Sequence, residues 1–152
     1  MAERPQLRNI EDIYPATPMQ EAMLFDALYG AGGAANLEQF TFLIRGPLDA
    51  GAYREAWRRV VHRHQALRAR FAWPEGERPL QAIAREVDLP WIEEDWTGLS
   101  AEAAQTRLDA FLLSDRRQFF DVSKAPLMPF VLVRLKPDLH RLIWNFHHIL
   151  VD

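Results

Sequence analysis

Apolar and polar residues alternate along several short segments of this chain, and in other segments apolar residues recur every three or four positions. The first pattern is typical of half-buried strands and the second of amphipathic helices. Glycine and proline separate many of these segments. The patterns predict strands over residues 40–44, 67–73, 80–84, 127–135 and 139–146, and helices from Thr17 to Gly30, from about Asp49 to Arg63 and from Ser100 to about Ser114.

The start of the first helix carries the clearest local signal. Thr17 can cap the helix, Pro18 suits its first position, and Gln20 stands where a capping box needs a glutamine. In each helix, one apolar stripe should face the core. The predicted stripes are Met19, Ala22, Met23 and Ala27 in the first helix, Tyr53, Ala56, Trp57, Val60, Val61 and His64 in the second, and Ala104, Leu108, Phe111 and Leu112 in the third.

Alternation has a direct consequence where the last predicted strand ends, because two histidines stand there. Neighbouring residues of a strand point to opposite faces of the sheet. His148 should therefore share a face with Trp144 and Phe146, and His147 should share a face with Asn145. We expect one imidazole to face a site and the other to face the scaffold, because functional residues concentrate just beyond strand ends.

The composition indicates one folded unit and narrows the classes of function. The 152 residues are 49% hydrophobic and 26% charged, which is enough to bury one core. Strands and helices in this order predict an α/β fold of the two-layer sandwich type in a single domain. The formal charge of −3 argues against a nucleic-acid binder.

The expected compartment follows from what the sequence lacks. There is no cysteine, which excludes disulfides and fits a reducing cytoplasm. No apolar run is long enough to span a bilayer, so we expect no membrane association. The N-terminus has no stretch that resembles a secretory signal.

Two imidazoles and a carboxylate, from His147, His148 and Asp152, could bind a metal ion or take part in proton transfer. A metal is disfavoured because neighbouring histidines on a strand diverge and the chain has no cysteine ligand. Histidine can accept a proton at cellular pH, since its unperturbed pKa lies near 6.5. Because the two histidines diverge, we predict no metal site and favour proton transfer. The alternative to a reactive histidine is a buried one bonded to a backbone carbonyl.

Four segments of the chain resemble motifs of the condensation domains of nonribosomal peptide synthetases, in the order of that family. The His-His-x-x-x-Asp pattern at 147–152 resembles the family's core motif. Tyr14–Phe25 resembles its first motif, Arg63–Phe71 resembles its second, and Phe120–Leu127 is also similar. The resemblance therefore covers nearly the whole chain.

The resemblance implies a lobe of the chloramphenicol-acetyltransferase-like type. A complete condensation domain is a pseudo-dimer of two such lobes, with the active site at their junction. Residues 1–152 would then be the N-terminal lobe, cut within the core motif and without the C-terminal lobe. The implied reaction is peptide-bond formation between a donor acyl or peptidyl thioester and an acceptor aminoacyl thioester.

The resemblance also implies roles for individual residues. His148 would be the catalytic histidine, which either removes a proton from the acceptor amine or positions that amine. His147 would be structural and hold the strand end through a hydrogen bond. Asp152 would form a salt bridge with an arginine of the second motif, with Arg63 as first choice and Arg68 as second. For both arginines the alternative is a solvated charge.

The implied partners are the upstream and downstream peptidyl carrier proteins, an adjacent adenylation domain and the missing lobe. Both substrates would be tethered to the carriers through phosphopantetheine, and no cofactor would bind directly to the lobe. Alone, the lobe is expected to be inactive and to expose an apolar face that promotes self-association.

Several readings of the family resemblance stay open. The first motif, Thr17-Pro18-Met19-Gln20-Glu21, favours a domain that accepts a peptidyl donor after an epimerised residue. His147 argues against a heterocyclisation domain, which has aspartate there. The alternatives are an epimerisation domain, a coenzyme A-dependent acyltransferase of the same superfamily, and a non-catalytic module that recruits a carrier or tailoring protein.

Overall fold

The computed structural model describes residues 9–30, 36–115 and 120–151, and in these ranges the chain forms two β-sheets and three α-helices. The elements are β1 (Ile10–Pro15), α1 (Pro18–Tyr29), β2 (Leu37–Arg45), α2 (Ala50–Arg63), β3 (Ala69–Ala72), β4 (Leu80–Ala84), β5 (Trp91–Asp95), α3 (Ala101–Asp115), β6 (Phe130–Lys136) and β7 (Leu139–His147). A 3₁₀ turn at Gln65–Arg68 precedes β3, and another at His148–Leu150 follows β7. The mixed α/β class predicted from the sequence is confirmed.

The larger sheet has the strand order β2-β7-β6-β5, so β7 is an interior strand. β2 and β7 run antiparallel, from Leu37 opposite His147 to Arg45 opposite Leu139. β6 and β7 form an antiparallel hairpin, whereas β5 lies parallel to β6 at the sheet edge. The smaller sheet has the order β1-β4-β3, in which β3 and β4 pair antiparallel.

Helices pack on both faces of the larger sheet. On one face Trp57 of α2 lies against Phe130, with 4.6 Å between the ring centroids, and the same core extends to the smaller sheet. On the other face Leu108 of α3 packs with Val131 and Val133. Burying an apolar side chain of this size contributes roughly 1.5–3 kcal/mol, so the two cores fix the position of β7 between its neighbours.

The N-terminus of α1 is capped as predicted. The Thr17 hydroxyl accepts from the Gln20 N–H at 3.2 Å, and Gln20 Oε1 accepts from the Thr17 N–H at 2.9 Å. These reciprocal bonds satisfy backbone donors that a helix start otherwise leaves unpaired. The residues predicted to end this helix are only partly described, because Gly30 caps it and residues 31–35 lie outside the described ranges.

The predicted core stripe of α1 is wrong in part. Met23 is buried and Ala27 packs against the core, but Met19 is 56% exposed and Ala22 is also exposed. Leu24, which was not predicted, is 1% exposed. Apolar residues occur around most of this helix, so the sequence pattern does not fix which stripe packs inward.

The other two helices follow the prediction more closely. Val61 of α2 is buried, and Tyr53 and Trp57 pack against the core. Ser100 caps α3, since its hydroxyl accepts from the Ala103 N–H at 3.1 Å. All four predicted α3 residues, Ala104, Leu108, Phe111 and Leu112, contribute to the core beneath that helix. The remaining predicted α2 residues, Ala56, Val60 and His64, are exposed.

Two strands were not predicted, and four of the five predicted strands have different bounds, including β2, which runs from Leu37 to Arg45. Charged residues interrupt the alternation in β1, and β5 ends in three consecutive acids, so neither reads as a strand in isolation. β3 starts at Ala69 because Arg68 belongs to the preceding 3₁₀ turn. β6 starts at Phe130, directly after Pro129, which has no N–H to donate. β7 continues one residue further than predicted, to His147.

Within the described ranges, no helix is both long and apolar enough to cross a membrane.

Candidate functional site at the end of β7

The end of β7 is where the first-motif helix and the 120–127 segment meet. The His147 N–H donates to the Leu127 carbonyl at 3.1 Å, which joins the last residue of β7 to that segment. The Gln20 side chain donates from Nε2 to the Ile149 carbonyl at 3.3 Å. Gln20 therefore closes the capping box of α1 and also contacts the turn that follows β7.

The second-motif segment reaches the same region through β3. The Phe71 N–H donates to the Val122 carbonyl at 2.8 Å. Phe71, Leu127 and Leu150 all belong to the same buried cluster. The four segments selected from the sequence are thus held together by hydrogen bonds and a shared core.

His147 is buried at the end of β7, with 2% of its surface exposed. Its Nδ1 accepts from the Ile149 N–H at 3.1 Å, and the ring of Phe120 meets it edge-on, with 6.1 Å between centroids. Because Nδ1 accepts a hydrogen bond, the neutral ring carries its proton on Nε2. Nε2 is buried and has no hydrogen-bond partner among the residues described.

The environment of His147 keeps this imidazole neutral. Burial lowers the pKa of His147 to about 4, and the neighbouring His148 lowers it further by a smaller amount. At neutral pH the ring is uncharged, and a group with so low a pKa is a poor proton acceptor. The geometry therefore suits His147 to hold the turn rather than to move a proton.

His148 has a different environment although it is the next residue. It starts the 3₁₀ turn, so strand alternation does not decide where its side chain points. Its N–H donates to the Asn36 carbonyl at 2.7 Å, and its side chain is half-buried. Nδ1 is covered and finds no hydrogen-bond partner in the described part of the chain. The backbone at His148 is thus fixed while the ring stays partly accessible.

Aromatic rings support the strand just before the two histidines. The Trp144 ring lies 4.6 Å from Phe146, 5.4 Å from Trp57 and 5.9 Å from Phe130, centroid to centroid. Phe40 of β2 adds a stacked contact with Phe146 at 5.8 Å. Such ring pairs contribute about 0.5–1.5 kcal/mol each beyond their burial, so they hold the strand before the two histidines firmly in place.

Arg68 is the buried member of the two candidate arginines, at 4% exposure. Its guanidinium donates to Glu11 at 2.7 Å, to the Arg85 carbonyl at 3.2 Å and to the Ala84 carbonyl. Hydrogen bonds from Arg68 and then Gln65 lower the pKa of Glu11. Nε of Arg68 is buried and lacks a partner among residues 9–30, 36–115 and 120–151.

Arg63 lies at the end of α2 and is exposed to solvent. Asp152, the predicted partner of one of these arginines, lies outside the described residues. The structure therefore places Arg68 in the interior and Arg63 on the surface.

Three residues that contact the site were not among the predicted site residues. Gln20 was selected only as a helix cap, although its amide also reaches Ile149. Asn36 has a backbone φ of 69°, a left-handed conformation that asparagine tolerates, and its position after glycines and small residues is a weak signal. Glu11 is separated from Arg68 by 57 positions, and no local pattern points to this pair.

No group of three or more histidine, aspartate or glutamate side chains in the described ranges is arranged to hold a metal ion.

The fold and the site define an α/β lobe with a half-buried histidine just beyond an interior strand, backed by a neutral, buried histidine. The chain belongs to the condensation-domain family, whose model matches residues 10–152.

Relatives of this chain are large peptide synthetases. It is 40% identical to one of the linear gramicidin synthase proteins of Brevibacillus parabrevis over 144 residues, which is 95% of this chain and 2% of that protein. It is 33% identical to bacitracin synthase 1 of Bacillus licheniformis, over 95% of this chain and 3% of that protein. The chain therefore spans only a small part of the curated relatives it matches.

Solved structures share the fold at low sequence identity. The first condensation domain of the calcium-dependent antibiotic synthetase superimposes with a TM-score of 0.80 at 20% identity, over 92% of this chain and 35% of that one. The starter condensation domain of rhizomide synthetase gives a TM-score of 0.78 at 21% identity, over 93% of this chain and 35% of that one. The matched region is about a third of each of these solved chains.

Proposed function

We propose that this chain is the N-terminal lobe of a condensation domain that forms a peptide bond within a nonribosomal peptide synthetase. The donor is an acyl or peptidyl thioester and the acceptor is an aminoacyl thioester, each tethered through phosphopantetheine to a carrier protein. The observation that carries the proposal is the position of His148, which is fixed by its backbone beyond an interior strand while its ring stays partly accessible. Membership of the condensation-domain family supports the reaction class.

In the proposed reaction the acceptor amine attacks the donor thioester carbonyl. A carbon–nitrogen bond forms, the carbon–sulfur bond breaks, and the amine proton is finally taken up by the departing thiolate. His148 would accept that proton or hold the amine in line with the carbonyl. Histidine is the side chain that most often transfers protons in catalysis, so it is suited to either task, and holding both substrates in place lowers the barrier independently of proton transfer.

The neighbouring residues would support His148 without touching substrate. His147 would fix the turn through its bond to the Ile149 N–H. For the proposed partner of Asp152, the burial of Arg68 and its unpaired Nε favour Arg68 over the exposed Arg63. A buried guanidinium gains more from a carboxylate than a solvated one does.

The proposal includes a second lobe that packs against this one. Apolar side chains on the outer side of α1 are open to solvent, including Phe25 at 55%, Leu28 at 49% and Tyr29 at 72% exposure. Met19 belongs to the same helix at 56%. Apolar surface of this kind is usually covered by another protein surface, and alone it promotes self-association. Carrier proteins and an adenylation domain would be neighbours in the intact synthetase.

The test is dipeptide formation by the intact condensation domain that contains this chain. A donor-loaded and an acceptor-loaded carrier protein are mixed with wild type, with His148→Ala and with Glu38→Gln, and the product is measured by mass spectrometry. We expect His148→Ala to reduce product formation by about 100-fold or more, and Glu38→Gln to have little effect. Carrier binding without product in wild type would instead indicate a recruitment module, and full activity of His148→Ala would overturn the assigned role of this residue.

A further inference from the structure

We propose that Asn36 is a positioning residue for His148. Its carboxamide oxygen would accept the hydrogen on His148 Nδ1, which leaves Nε2 as the unprotonated nitrogen that faces the amine. The inference rests on the proposed function of His148, because it explains how the ring would be held in the reactive tautomer.

The backbone already brings the two residues together. Leu37 lies opposite His147 at the end of the antiparallel pairing of β2 with β7, and Asn36 and His148 are the next residues beyond that pair. The bond from the His148 N–H to the Asn36 carbonyl, 2.7 Å long, continues the ladder past the end of the strand. The two side chains therefore start from backbone positions that are within hydrogen-bonding distance of each other.

Both side chains end in a buried polar atom that needs a partner. Asn36 Nδ2 and His148 Nδ1 are each covered, and neither has a hydrogen bond to any described residue. Leaving a buried polar atom unpaired is unfavourable, because the atom gives up its hydrogen bonds to water and gains none in return. One hydrogen bond between these two neighbours would give His148 Nδ1 a partner, and the carboxamide of Asn36 would be that partner.

The proposed direction of the bond follows from the chemistry of His148. Rotation of a carboxamide by half a turn exchanges its NH₂ group and its oxygen, so asparagine can either donate to Nδ1 or accept from it. If the amide donated, Nε2 would carry the proton and could not accept one from the amine. If the oxygen accepts, Nε2 has a free lone pair. Only the second arrangement suits a proton acceptor.

The backbone conformation of Asn36 allows substitutions that change its side chain without straining the backbone. Its φ of 69° lies in the left-handed region, which glycine adopts without strain and which asparagine and aspartate tolerate. Asn36→Gly therefore removes the carboxamide and keeps the backbone. Asn36→Asp keeps an oxygen in the same place but removes the NH₂ donor. Glu38→Gln, opposite Phe146 on the same strand, is the matched control.

The readout is the nitrogen-15 NMR spectrum of His148 in the intact condensation domain, with selectively labelled histidine and assignment by His148→Gln. At about pH 8, where an ordinary histidine is neutral, we expect wild type and Asn36→Asp to show a proton on Nδ1. Asn36→Gly should shift the population toward the Nε2-protonated form, and Glu38→Gln should match wild type.

Kinetics give the second readout. We expect Asn36→Gly to lower kcat about tenfold with little change in KM, which is the effect of losing one hydrogen bond that acts on the reacting group. A proton on Nε2 in wild type would overturn the proposal. So would an unchanged His148 tautomer and kcat in Asn36→Gly, or an Asn36→Asp variant that behaves like Asn36→Gly.

The two proposals can fail separately. The tautomer is measured without substrates, so it decides the role of Asn36 even if wild type forms no peptide bond. Absence of product in wild type, with the Nδ1-protonated tautomer present and lost in Asn36→Gly, would overturn the proposed function alone.

Discussion

The 63–71 segment and the 147–151 segment each bury one basic side chain. The buried side chain stays charged in the first segment and is neutral in the second. Arg68 is 4% exposed and stays charged, because Glu11 and two backbone carbonyls accept its hydrogen bonds. His147 is 2% exposed and becomes neutral, with a pKa of about 4. A guanidinium cannot give up its proton in a protein, so it must be surrounded by acceptors, whereas an imidazole can simply lose it.

Each segment also keeps a second polar residue outside the core. Arg63 is exposed at the end of α2, and His148 is half-buried at the start of the turn. The buried and the accessible members of each pair therefore have different roles. Arg68 and His147 hold the two segments in place, and the ring of His148 stays partly accessible.

The largest effect on stability should come from the buried arginine. We expect Arg68→Met to lower the free energy of unfolding by about 3 kcal/mol, because it leaves Glu11 and two carbonyls without their donor. Arg63→Met, on the exposed helix end, should change it by less than about 0.5 kcal/mol. Urea denaturation of the domain containing each variant measures both, and equal effects would contradict the division between the two arginines.

The neutral state of His147 should make stability depend on pH. Its pKa is about 4 in the folded protein and near 6.5 when unfolded, so between these values the unfolded chain binds more protons. Stability should therefore fall as the pH drops from about 6.5 to about 4, by about 2–3 kcal/mol from this residue. The measurement is the unfolding free energy of wild type minus that of His147→Asn across this range. A difference that does not change with pH would refute the predicted contribution of His147 to the pH dependence of stability.

At about pH 8, where His147 is neutral in both states, the same residue should act through one hydrogen bond. His147→Leu leaves the buried Ile149 N–H unpaired and should cost about 2 kcal/mol. His147→Asn should cost less than about 1 kcal/mol, since its Oδ1 can take the place of Nδ1 as acceptor. Chemical denaturation compares the two, and the hydrogen bond is unimportant if their effects are the same.

The smallest effect is expected at Gln20, which links the first motif to the turn. Gln20→Ala removes both the capping-box bond and the donor to the Ile149 carbonyl, and should cost about 1 kcal/mol. Gln20→Glu keeps the acceptor for the Thr17 N–H but loses the donor, and should cost about half as much. Thermal unfolding measures both variants, and a Gln20→Glu variant as stable as wild type would show that the link to the turn does not matter.

Much of the local structure could be predicted because its causes lie within a few residues. The cap at Thr17 and the strand that leads to His147 follow from capping geometry and alternation. The core stripe of α1 could not be predicted, because several stripes of that helix are apolar and only packing selects Met23 and Leu24. The same holds for β1 and β5, whose charged residues hide their strand character.

The sequence by itself determined the family resemblance, the mixed α/β class and the candidate histidines, because each depends on residue types at short spacing. The tertiary structure alone decided which candidates are buried. It placed Arg68 against Glu11, 57 positions away, and Asn36 against the backbone of His148. Burial and long-range hydrogen bonds arise only when distant segments pack together, and they set the charge state of His147 and the access to His148.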